Sequence, residues 1–592
     1  MKLSLLGQVN EQSNGKKGEI EMEQPLQMSK FEKLSQERKY LQDSGGLPEW
    51  FTTHGWQVFK EKFLSDGYRN YKDTVERITT TLSKHTDNPE YWNKRFFEVI
   101  WKGWLALSTP VLANTGLERG LPVSCSGSYI DDSIDGFYTA AHEAAMLTKN
   151  GFGTSSYLGD IRPRGSKISS GGDATGSMPV FRMLVQIMRD VVQGSNQRRG
   201  AWAGYIEIDH DDFWEICEHV KHESDDANVG FIYTRDFIER LQSGDKDALE
   251  RFQGHMKLRA VTGKGYFFFR EKANDLAPSP IKDNNKLVIK SSNLCTEIFQ
   301  PQDEDHTYTC VLSSLNLVKY DEWKDTDLIK VATVFLDCVV EEFIERGKHI
   351  PGLEKAVRYT EKSRAIGLGA LGFHTYLQQN SVPFESLEAN FINNEIFAKI
   401  QRETEEASRE LAEKYGEPEW CKGYNTRNLV KVAVAPNTTS ALICGGVSQG
   451  IEPVIANVYL QTGSSGELHR INPVLIDLLK SKGKYTDEVI QDIAFNEGSV
   501  QHLDFLSDHE KLVFKTAYEI DQRFLVRWAN SRQKYIDQGQ SLNLFFGADE
   551  DEQYIADVHE EAIMSSRIKS LYYMHNKAGV SGSKGECISC EG

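Results

Sequence analysis

The chain has 592 residues, of which 39% are hydrophobic and 26% are charged, and its formal net charge at pH 7 is −18. This length and composition are typical of a large globular protein, and the negative charge argues against a nucleic-acid-binding surface. No run approaches the roughly 20 apolar residues of a membrane span. The N-terminus lacks the pattern of a signal peptide, so we expect a cytoplasmic location.

Four regions are expected in chain order. Residues 1–47 are polar and predict a flexible leader, with a short helix near residues 28–41. In residues 48–107, aromatic residues and leucines recur at helical spacing and predict a small helical domain. Strand-like and helical stretches alternate over residues 108–573, which favours an α/β barrel-like domain. Residues 574–592 are rich in Gly, Ser and Lys and predict a flexible tail.

Individual elements follow from the apolar periodicity of the barrel-like region. The predicted helices are Thr139–Thr148, Pro179–Val192, Leu328–Arg346, Phe391–Tyr415 and Asp508–Trp528. The predicted strands are Phe231–Tyr233, Tyr266–Phe269 and Leu429–Val434.

The stretch Asn293-Leu294-Cys295-Thr296-Glu297 carries the strongest chemical pattern. In an extended backbone, side chains alternate between faces, so Asn293, Cys295 and Glu297 would point to one spot. A thiol can act as a nucleophile or carry a radical, and a carboxylate can take a proton from a hydroxyl. These residue types suit chemistry on a polyol. The alternative is that Cys295 is simply a small buried apolar residue.

The cysteines argue for redox chemistry rather than for a disulfide framework. There are nine, an odd and scattered set, which is not the pattern of a disulfide-stabilised protein. Cys338 lies in an apolar run and is interpreted as a core residue. Cys587 and Cys590 form a C-x-x-C pair near the end of the chain. A structural zinc ion needs four ligands, and no second pair lies nearby, so we interpret this pair as a redox dithiol.

Two further patterns resemble cofactor or metal sites. The segment Gly367–Gly372 matches G-x-G-x-x-G, but the residues before it are polar and helix-like, whereas a dinucleotide site needs a preceding strand. We interpret these glycines as close packing or a turn. The His- and acid-rich segment His210–His222 could hold a metal, but we interpret it as the solvated face of a helix. We therefore predict no metal site on this chain.

Nucleotide binding is suggested by hydroxyl-rich and basic segments. Residues 437–440 follow a strand-like run, and a helix starting there would offer free N–H groups and hydroxyls to an anion. An ordinary helix cap is the alternative, and Ser108-Thr109 is a similar, weaker case. The glycine-flanked loop 194–204 combines two arginines with a tryptophan and could meet a nucleotide. Its alternative is a solvated surface loop.

Together, these motifs resemble the large, catalytic subunit of class I ribonucleotide reductase. The resemblance rests on three cysteines, N-x-C-x-E, the P-x-x-T-S hydroxyl turn, Tyr572-Tyr573 and the C-terminal dithiol, and it extends from about residue 48 to residue 592. It implies a ten-stranded α/β barrel of two five-stranded parallel halves, with the radical cysteine on a central loop and a helical domain before the barrel.

The resemblance also implies roles for the reacting residues. Cys295 would become a thiyl radical and abstract the 3′-hydrogen of the ribose. Glu297 would act as base on the 3′-hydroxyl, with Asn293 as its hydrogen-bonding neighbour. Cys125 and Cys310 would deliver two electrons and close to a disulfide as the 2′-hydroxyl leaves as water.

Further positions match parts of the family that serve the reaction. Tyr572 and Tyr573 would relay the radical to Cys295, and Cys587 with Cys590 would reopen the disulfide by exchange. The implied substrate-binding residues are Thr109, Ser124, Gly153, Asn293, Glu297, Thr438, Thr439 and Ser440. The implied allosteric specificity site comprises Asp132, Ser133, Arg162 and Arg199.

The family's partners and ligands follow as expectations. They are ribonucleoside diphosphate substrates, reduced for DNA synthesis, a small metal-containing radical subunit, and thioredoxin or glutaredoxin as reductant. The expected effectors are ATP, dATP, dTTP and dGTP, and the expected assembly is a homodimer within a heterotetramer or larger complex. The leader before residue 48 is too short and polar for the ATP-cone domain, so we expect no on/off activity site on this chain.

Two alternatives stay open. A cobalamin-dependent, class II reductase shares the barrel but makes its radical in one chain, and therefore needs no relay such as Tyr572-Tyr573. A nucleotide-binding regulatory protein that kept the barrel would need none of the matching cysteines.

Overall fold

The computed structural model describes residues 30–169, 171–191, 200–223, 227–463 and 466–577. The N-terminal part of the described chain is helical. Its helices are α1 (Lys30–Asp43), α2 (Thr53–Lys62), α3 (Tyr71–Ser83) and α4 (Pro89–Trp101). The side chains of Thr52, Asn70 and Asn88 accept backbone N–H groups at the starts of α2, α3 and α4, as good N-caps do. Helix α1 lies where the short leader helix was predicted, and Leu34 on it is buried.

The next region alternates strand and helix. It contains β1 (Leu105–Leu107), α5 (Thr109–Asn114), β2 (Cys125–Tyr129), α6 (Ile134–Lys149), β3 (Gly153–Tyr157), α7 (Met178–Gln186), β4 (Trp202–Glu207), α8 (Phe213–His222), β5 (Asn228–Tyr233), α9 (Arg235–Gln242), α10 (Lys246–Thr262) and β6 (Tyr266–Phe269). Strands β2 to β6 pair side by side and in parallel. This is one five-stranded parallel half of the predicted barrel, and buried side chains cover both of its faces.

The second half begins with α11 (Arg270–Asp275) and α12 (Ser279–Lys282). It continues through β7 (Tyr308–Cys310), β8 (Leu312–Asn316), α13 (Tyr320–Trp323), α14 (Leu328–Gly347), α15 (Glu354–Ser363), β9 (Gly367–Leu371), α16 (Phe373–Gln379), α17 (Leu387–Tyr415) and α18 (Thr438–Ile443). The last elements are β10 (Val458–Gly463), β11 (Gly466–Ile471), α19 (Pro473–Ser481), α20 (Asp487–Phe495), α21 (Asp508–Val513), α22 (Gln522–Arg532), β12 (Leu544–Phe546), α23 (Glu552–Met564), β13 (Ser570–Leu571) and β14 (Met574–Asn576).

The strand pairings connect the two halves. Strand β7 runs antiparallel to β2 at one edge of the first half, and β13 runs antiparallel to β6 at the other edge. Strand β8 is parallel to β9 and antiparallel to β1, and parallel bridges extend this sheet from Leu368 to Val432 and from Val434 to Gln540. The sheets therefore curl around a central space, in agreement with the predicted α/β barrel.

Two predicted elements were wrong. The predicted helix Asp508–Trp528 is two helices, α21 and α22, because Asp521 caps a new helix start and the Ala517 N–H bonds to the carbonyl of Val454 instead. The predicted strand Leu429–Val434 is a buried stretch with only isolated bridges. Apolar periodicity does not distinguish these cases.

The two sequence patterns set aside as cofactor or metal sites are structural. Gly367 and Gly369 lie within β9, where a Cβ would come 2.3 Å from Leu312 and 2.5 Å from the Ala433 carbonyl oxygen, so close packing explains them. The interpretation of the segment at His210 as a solvated face was wrong in part. Asp212 is buried and accepts hydrogen bonds from the backbone of Arg164 and Ser177. None of the helices within the described residues combines the length and the apolar composition that a membrane-spanning segment requires.

Candidate active site

The loop that carries Cys295 is a tight turn rather than the extended backbone we predicted. The side-chain oxygen of Asn293 accepts the N–H groups of Glu297 (3.0 Å) and Ile298 (3.1 Å). The Thr296 N–H bonds to the Asn293 carbonyl (3.2 Å), and Thr296 has φ 61°, an uncommon region for a residue other than glycine. The prediction of alternating faces therefore fails here, because the asparagine side chain folds the backbone onto itself.

Hydrogen bonds from three parts of the barrel hold this loop in the centre. The Tyr205 hydroxyl on β4 donates to the carbonyl of Asn293 (2.7 Å). Ser541 donates to the carbonyl of Cys295, and Ser570 on β13 donates to that of Thr296 (2.8 Å). All loop residues from 291 to 300 are buried. The loop is thus a rigid part of the interior, which positions its side chains for chemistry.

Glu297 is the carboxylate of this loop, and its side chain is 1% exposed. Ser541 donates to its Oε2 atom (3.1 Å). Burial raises the pKa of Glu297 to about 8, negative charge on Cys125 adds to the rise, and the nearby amide of Asn293 and the hydrogen bond from Ser541 oppose it. A carboxyl group that titrates close to neutral pH can both take up and release a proton.

Cys125 and Cys310 are directly opposite one another in the antiparallel pair of β2 and β7. Residues opposite each other in such a pair have Cα atoms about 4.5–5.5 Å apart, within the range that a disulfide bridges. At Gly153, a Cβ would lie 3.0 Å from Leu294 and 3.4 Å from the Cys125 Sγ. The small residue at the start of β3 therefore lets the cysteine pair and the Cys295 loop approach each other.

Tyr572 and Tyr573 form a close ring contact, with centroids 4.2 Å apart. Tyr572 is fully buried and Tyr573 is half-buried. The Tyr572 N–H donates to the carbonyl of Leu542 (2.8 Å), next to the Ser541 that holds Cys295. The pair therefore extends from beside the central loop towards the surface.

Tyr266 on β6 is a third member of this aromatic cluster, and sequence reasoning missed it. Its ring centroid lies 4.8 Å from that of Tyr572 and 5.2 Å from that of Tyr573. The aromatic run Tyr266–Phe269 predicted a strand, but only the fold shows which ring meets the pair. The fully buried Arg259 donates to the Tyr572 carbonyl (2.8 Å) and fixes the backbone there.

Two of the predicted substrate-binding residues, Ser124 and Gly153, adjoin the cysteine pair. Ser124 precedes the cysteine pair, and its N–H bonds to the Cys310 carbonyl (3.0 Å). Ser440 in α18 donates to the carbonyl of Leu107 (3.0 Å), so the start of α18 approaches Thr109 at the start of α5. Thr438 and Thr439 belong to the same helix start. The hydroxyl-rich ends of two helices thus meet at the end of β1.

The predicted specificity-site residues lie at the other end of the strands. Asp132 follows β2 and forms an ion pair with Arg162, which follows β3. Ser133 caps α6 by accepting the Gly136 N–H (3.0 Å). From Cys125, β2 runs four residues further to its end at Tyr129, about 13 Å along the strand. Arg199, Cys587 and Cys590 lie outside the described residues.

Comparison with known proteins agrees with this arrangement. The family model "Ribonucleotide reductase, barrel domain" matches residues 123–255, 245–426 and 418–574. The model "Ribonucleotide reductase, all-alpha domain" matches residues 49–120. The chain belongs to the ribonucleotide reductase large-subunit family.

Individual members of this family are similar over most of their length. The chain is 35% identical to the putative ribonucleoside-diphosphate reductase large subunit of Frog virus 3 (isolate Goorha), over 87% of this chain and 95% of the relative. It is 30% identical to the ribonucleoside-diphosphate reductase large subunit of Invertebrate iridescent virus 3, over 89% and 94%.

A solved structure of the family decides between its classes. The class Id ribonucleotide reductase alpha subunit of Actinobacillus ureae superimposes with a TM-score of 0.82 at 37% identity, covering 90% of this chain and 98% of that one. The chain is therefore a catalytic subunit of a class I reductase, and the cobalamin-dependent alternative does not hold.

Proposed function

We propose that this subunit reduces ribonucleoside diphosphates to 2′-deoxyribonucleoside diphosphates, with Cys125 and Cys310 as the source of electrons. The observation that carries the proposal is the pairing of these two cysteines on opposite strands, beside the buried loop of Cys295 and Glu297. A dithiol of this kind can supply two electrons by forming a disulfide.

Cys295 and Glu297 would act on the sugar itself. A thiyl radical at Cys295 takes the 3′-hydrogen, and ionised Glu297 accepts the proton of the 3′-hydroxyl. Asn293 supports both, because its side chain folds the turn and lies at the Glu297 carboxyl. The buried position of this loop limits its contact with water, which protects a reactive radical from side reactions.

The radical would come from a separate, metal-containing small subunit through Tyr573 and Tyr572. The 4.2 Å ring contact and the change from half-buried to fully buried support transfer from the surface inward. After each turnover, Cys587 and Cys590 would reopen the Cys125–Cys310 disulfide, and thioredoxin or glutaredoxin would restore the tail dithiol.

Binding roles complete the proposal. Thr109, Ser124, Gly153 and the α18 start would hold the substrate, with hydroxyls and N–H groups facing its phosphates. Asp132, Ser133, Arg162 and Arg199 would bind ATP, dATP, dTTP or dGTP and select the base. A homodimer within a heterotetramer or larger complex is the proposed assembly. We also propose the division into residues 1–47, 48–107, 108–573 and 574–592.

An assay of CDP reduction tests the function. The chain is combined with a class I radical subunit and dithiothreitol, and dCDP is measured by chromatography. We expect dCDP with the radical subunit and none with adenosylcobalamin alone. Cys295→Ser should bind CDP but form no product. Turnover by Cys295→Ser, or no turnover by the wild-type chain with several class I radical subunits, would contradict the proposal.

A further inference from the structure

Tyr308 and Gly127 form a second cross-strand pair, two residues along the strands from the pair of Cys125 and Cys310. In the β2–β7 ladder, Cys125 pairs with Cys310 and Gly127 pairs with Tyr308. Since side chains alternate along a strand, Tyr308 lies on the same face as both cysteines. A Cβ added to Gly127 would come 2.0 Å from Cζ and 2.2 Å from the hydroxyl oxygen of Tyr308. The phenol ring therefore lies across β2, in space that only glycine leaves open.

The hydroxyl of Tyr308 is buried beside Ser155 but has no partner in hydrogen-bond geometry among the described residues. The side chain is fully buried, and among the described residues no group accepts or donates to its oxygen in hydrogen-bond geometry. Its neighbour Ser155 donates to the carbonyl of Ser292 (2.9 Å) instead. Buried polar groups are nearly always paired, so an unpaired phenol beside a reactive centre suggests a partner that exists only during the reaction.

The ionisable groups around the Tyr308 phenol become negatively charged when they lose a proton. Tyr308 faces the thiols of Cys310 and Cys125, the carboxyl of Glu297 and the phenol of Tyr205. Burial raises the pKa of Tyr308 well above its ordinary value, the nearby Ser155 hydroxyl opposes the rise, and charge on Cys310, Cys125 or Glu297 adds to it. The phenol therefore keeps its proton and can donate it to an anion.

The chemistry of the cysteine pair creates such an anion; this step rests on the proposed function. Two thiols form one S–S bond and release two electrons and two protons. The C2′–O bond breaks, one proton leaves with the hydroxyl as water, and C2′ gains a hydrogen from the other proton and the electrons. If one thiol loses its proton before the S–S bond forms, it becomes a buried thiolate. A buried charge costs free energy unless a hydrogen-bond donor stabilises it.

We propose that Tyr308 donates a hydrogen bond to the thiolate that forms on the Cys125–Cys310 pair. Diagonal neighbours on one face of an antiparallel pair lie about 7–8 Å apart, within reach of a long aromatic side chain. Hydrogen bonds to charged groups are shorter and stronger than neutral ones. Tyr308 thus joins the residues that assist loss of the 2′-hydroxyl.

Tyr308→Phe tests this role, because it removes the hydroxyl and keeps the ring over Gly127. The full-length chain is pre-reduced, combined with a class I radical subunit, and the single-turnover rate of dCDP formation is measured from pH 6 to pH 9. We expect a loss of at least tenfold, the equivalent of one hydrogen bond to a charged group. The acid limb of the profile should move to higher pH, and CDP affinity should stay unchanged.

Tyr359→Phe is the matched control. Tyr359 is also fully buried, and its ring centroid lies 6.4 Å from that of Tyr308, but its polar neighbours are Ser363 and Cys421. Its rate and pH profile should match the wild type. A wild-type rate and profile for Tyr308→Phe would overturn the role of Tyr308, whereas no dCDP from the wild-type chain would overturn the proposed function instead.

A second comparison separates hydrogen bonding from packing. Gly127→Ala should displace the ring and slow turnover. The combined change Gly127→Ala with Tyr308→Ala removes the clash but also the buried ring, so its thermal stability should fall because a cavity is left. We expect this double variant to remain as slow as Tyr308→Phe. Recovery of the wild-type rate in a variant that lacks the phenol would mean that its hydroxyl is not needed, and would overturn the proposal.

Discussion

Tyr266 lies against both Tyr572 and Tyr573, with ring centroids 4.8 Å and 5.2 Å apart, so three aromatic rings rather than two connect the barrel interior with its surface. Tyr572→Phe should abolish CDP reduction, because phenylalanine keeps the buried ring but cannot lose a hydroxyl proton on oxidation. Thermal stability and CDP affinity should change little. Activity above one tenth of the wild type would contradict the relay.

Tyr266 offers a control within the same cluster. Its hydroxyl bonds to the side chain of Asn228 (3.3 Å), and its ring supports the relay pair. Tyr266→Phe should retain most activity, whereas Tyr266→Ala should lower both activity and stability, by about 3–5 kcal/mol of unfolding free energy for a buried aromatic side chain. Thermal and denaturant unfolding with parallel assays measure both effects.

Glu297 should impose a pH dependence on the reaction. Because burial raises its pKa to about 8, the ionised form that accepts the 3′-hydroxyl proton increases as the pH rises through that value. Activity at saturating CDP should therefore rise through about pH 8, where it reaches half its maximum, and level off at higher pH. Glu297→Gln should lose about 10²–10⁴-fold in rate, the usual contribution of a general base, and should lose this limb. A variant within threefold of the wild type would exclude the role.

The same carboxyl group should affect stability. In the unfolded chain Glu297 titrates near its ordinary value of 4.5, and in the folded chain near 8. Between these values the folded state holds a proton that the unfolded state has lost, so the free energy of unfolding falls as the pH rises and is constant above about 8. Glu297→Gln should unfold at a higher temperature than the wild type at pH 8, whereas exposed Glu239→Gln should not.

Arg162 should contribute to effector binding and little to stability. It pairs with Asp132 at a partly exposed position, and such pairs contribute about 0–1 kcal/mol. Arg162→Ala should weaken dTTP binding about tenfold or more, because a charge-assisted contact is lost. Titration calorimetry measures the affinity, and an unchanged dTTP affinity would remove Arg162 from the specificity site.

Long elements with regular periodicity were predictable from the sequence. The strand Tyr266–Phe269 was predicted with its observed ends, and Leu328–Gly347 was predicted to within one residue. In both, a continuous apolar pattern matches the burial of the element. The break after α21 was missed, because it depends on a cap at Asp521 and on a bond to distant Val454.

The sequence predicts a set of candidate site residues but not their geometry. The pairing of Cys125 with Cys310 depends on β7 joining the edge of a sheet built much earlier in the chain. The turn at Asn293 depends on its side chain bonding to the backbone, which overrides strand alternation. Tyr308 and Tyr266 were missed because single buried tyrosines carry no sequence signal until their neighbours are known.

The most direct test measures which cysteines are oxidised when one dCDP is formed. A variant with Cys587→Ser and Cys590→Ser is pre-reduced, freed of reductant and mixed with a class I radical subunit and CDP. We expect one dCDP per active chain, and peptide mass spectrometry should find a new disulfide between Cys125 and Cys310. Formation of dCDP while both residues remain thiols, or with a disulfide elsewhere, would contradict the account.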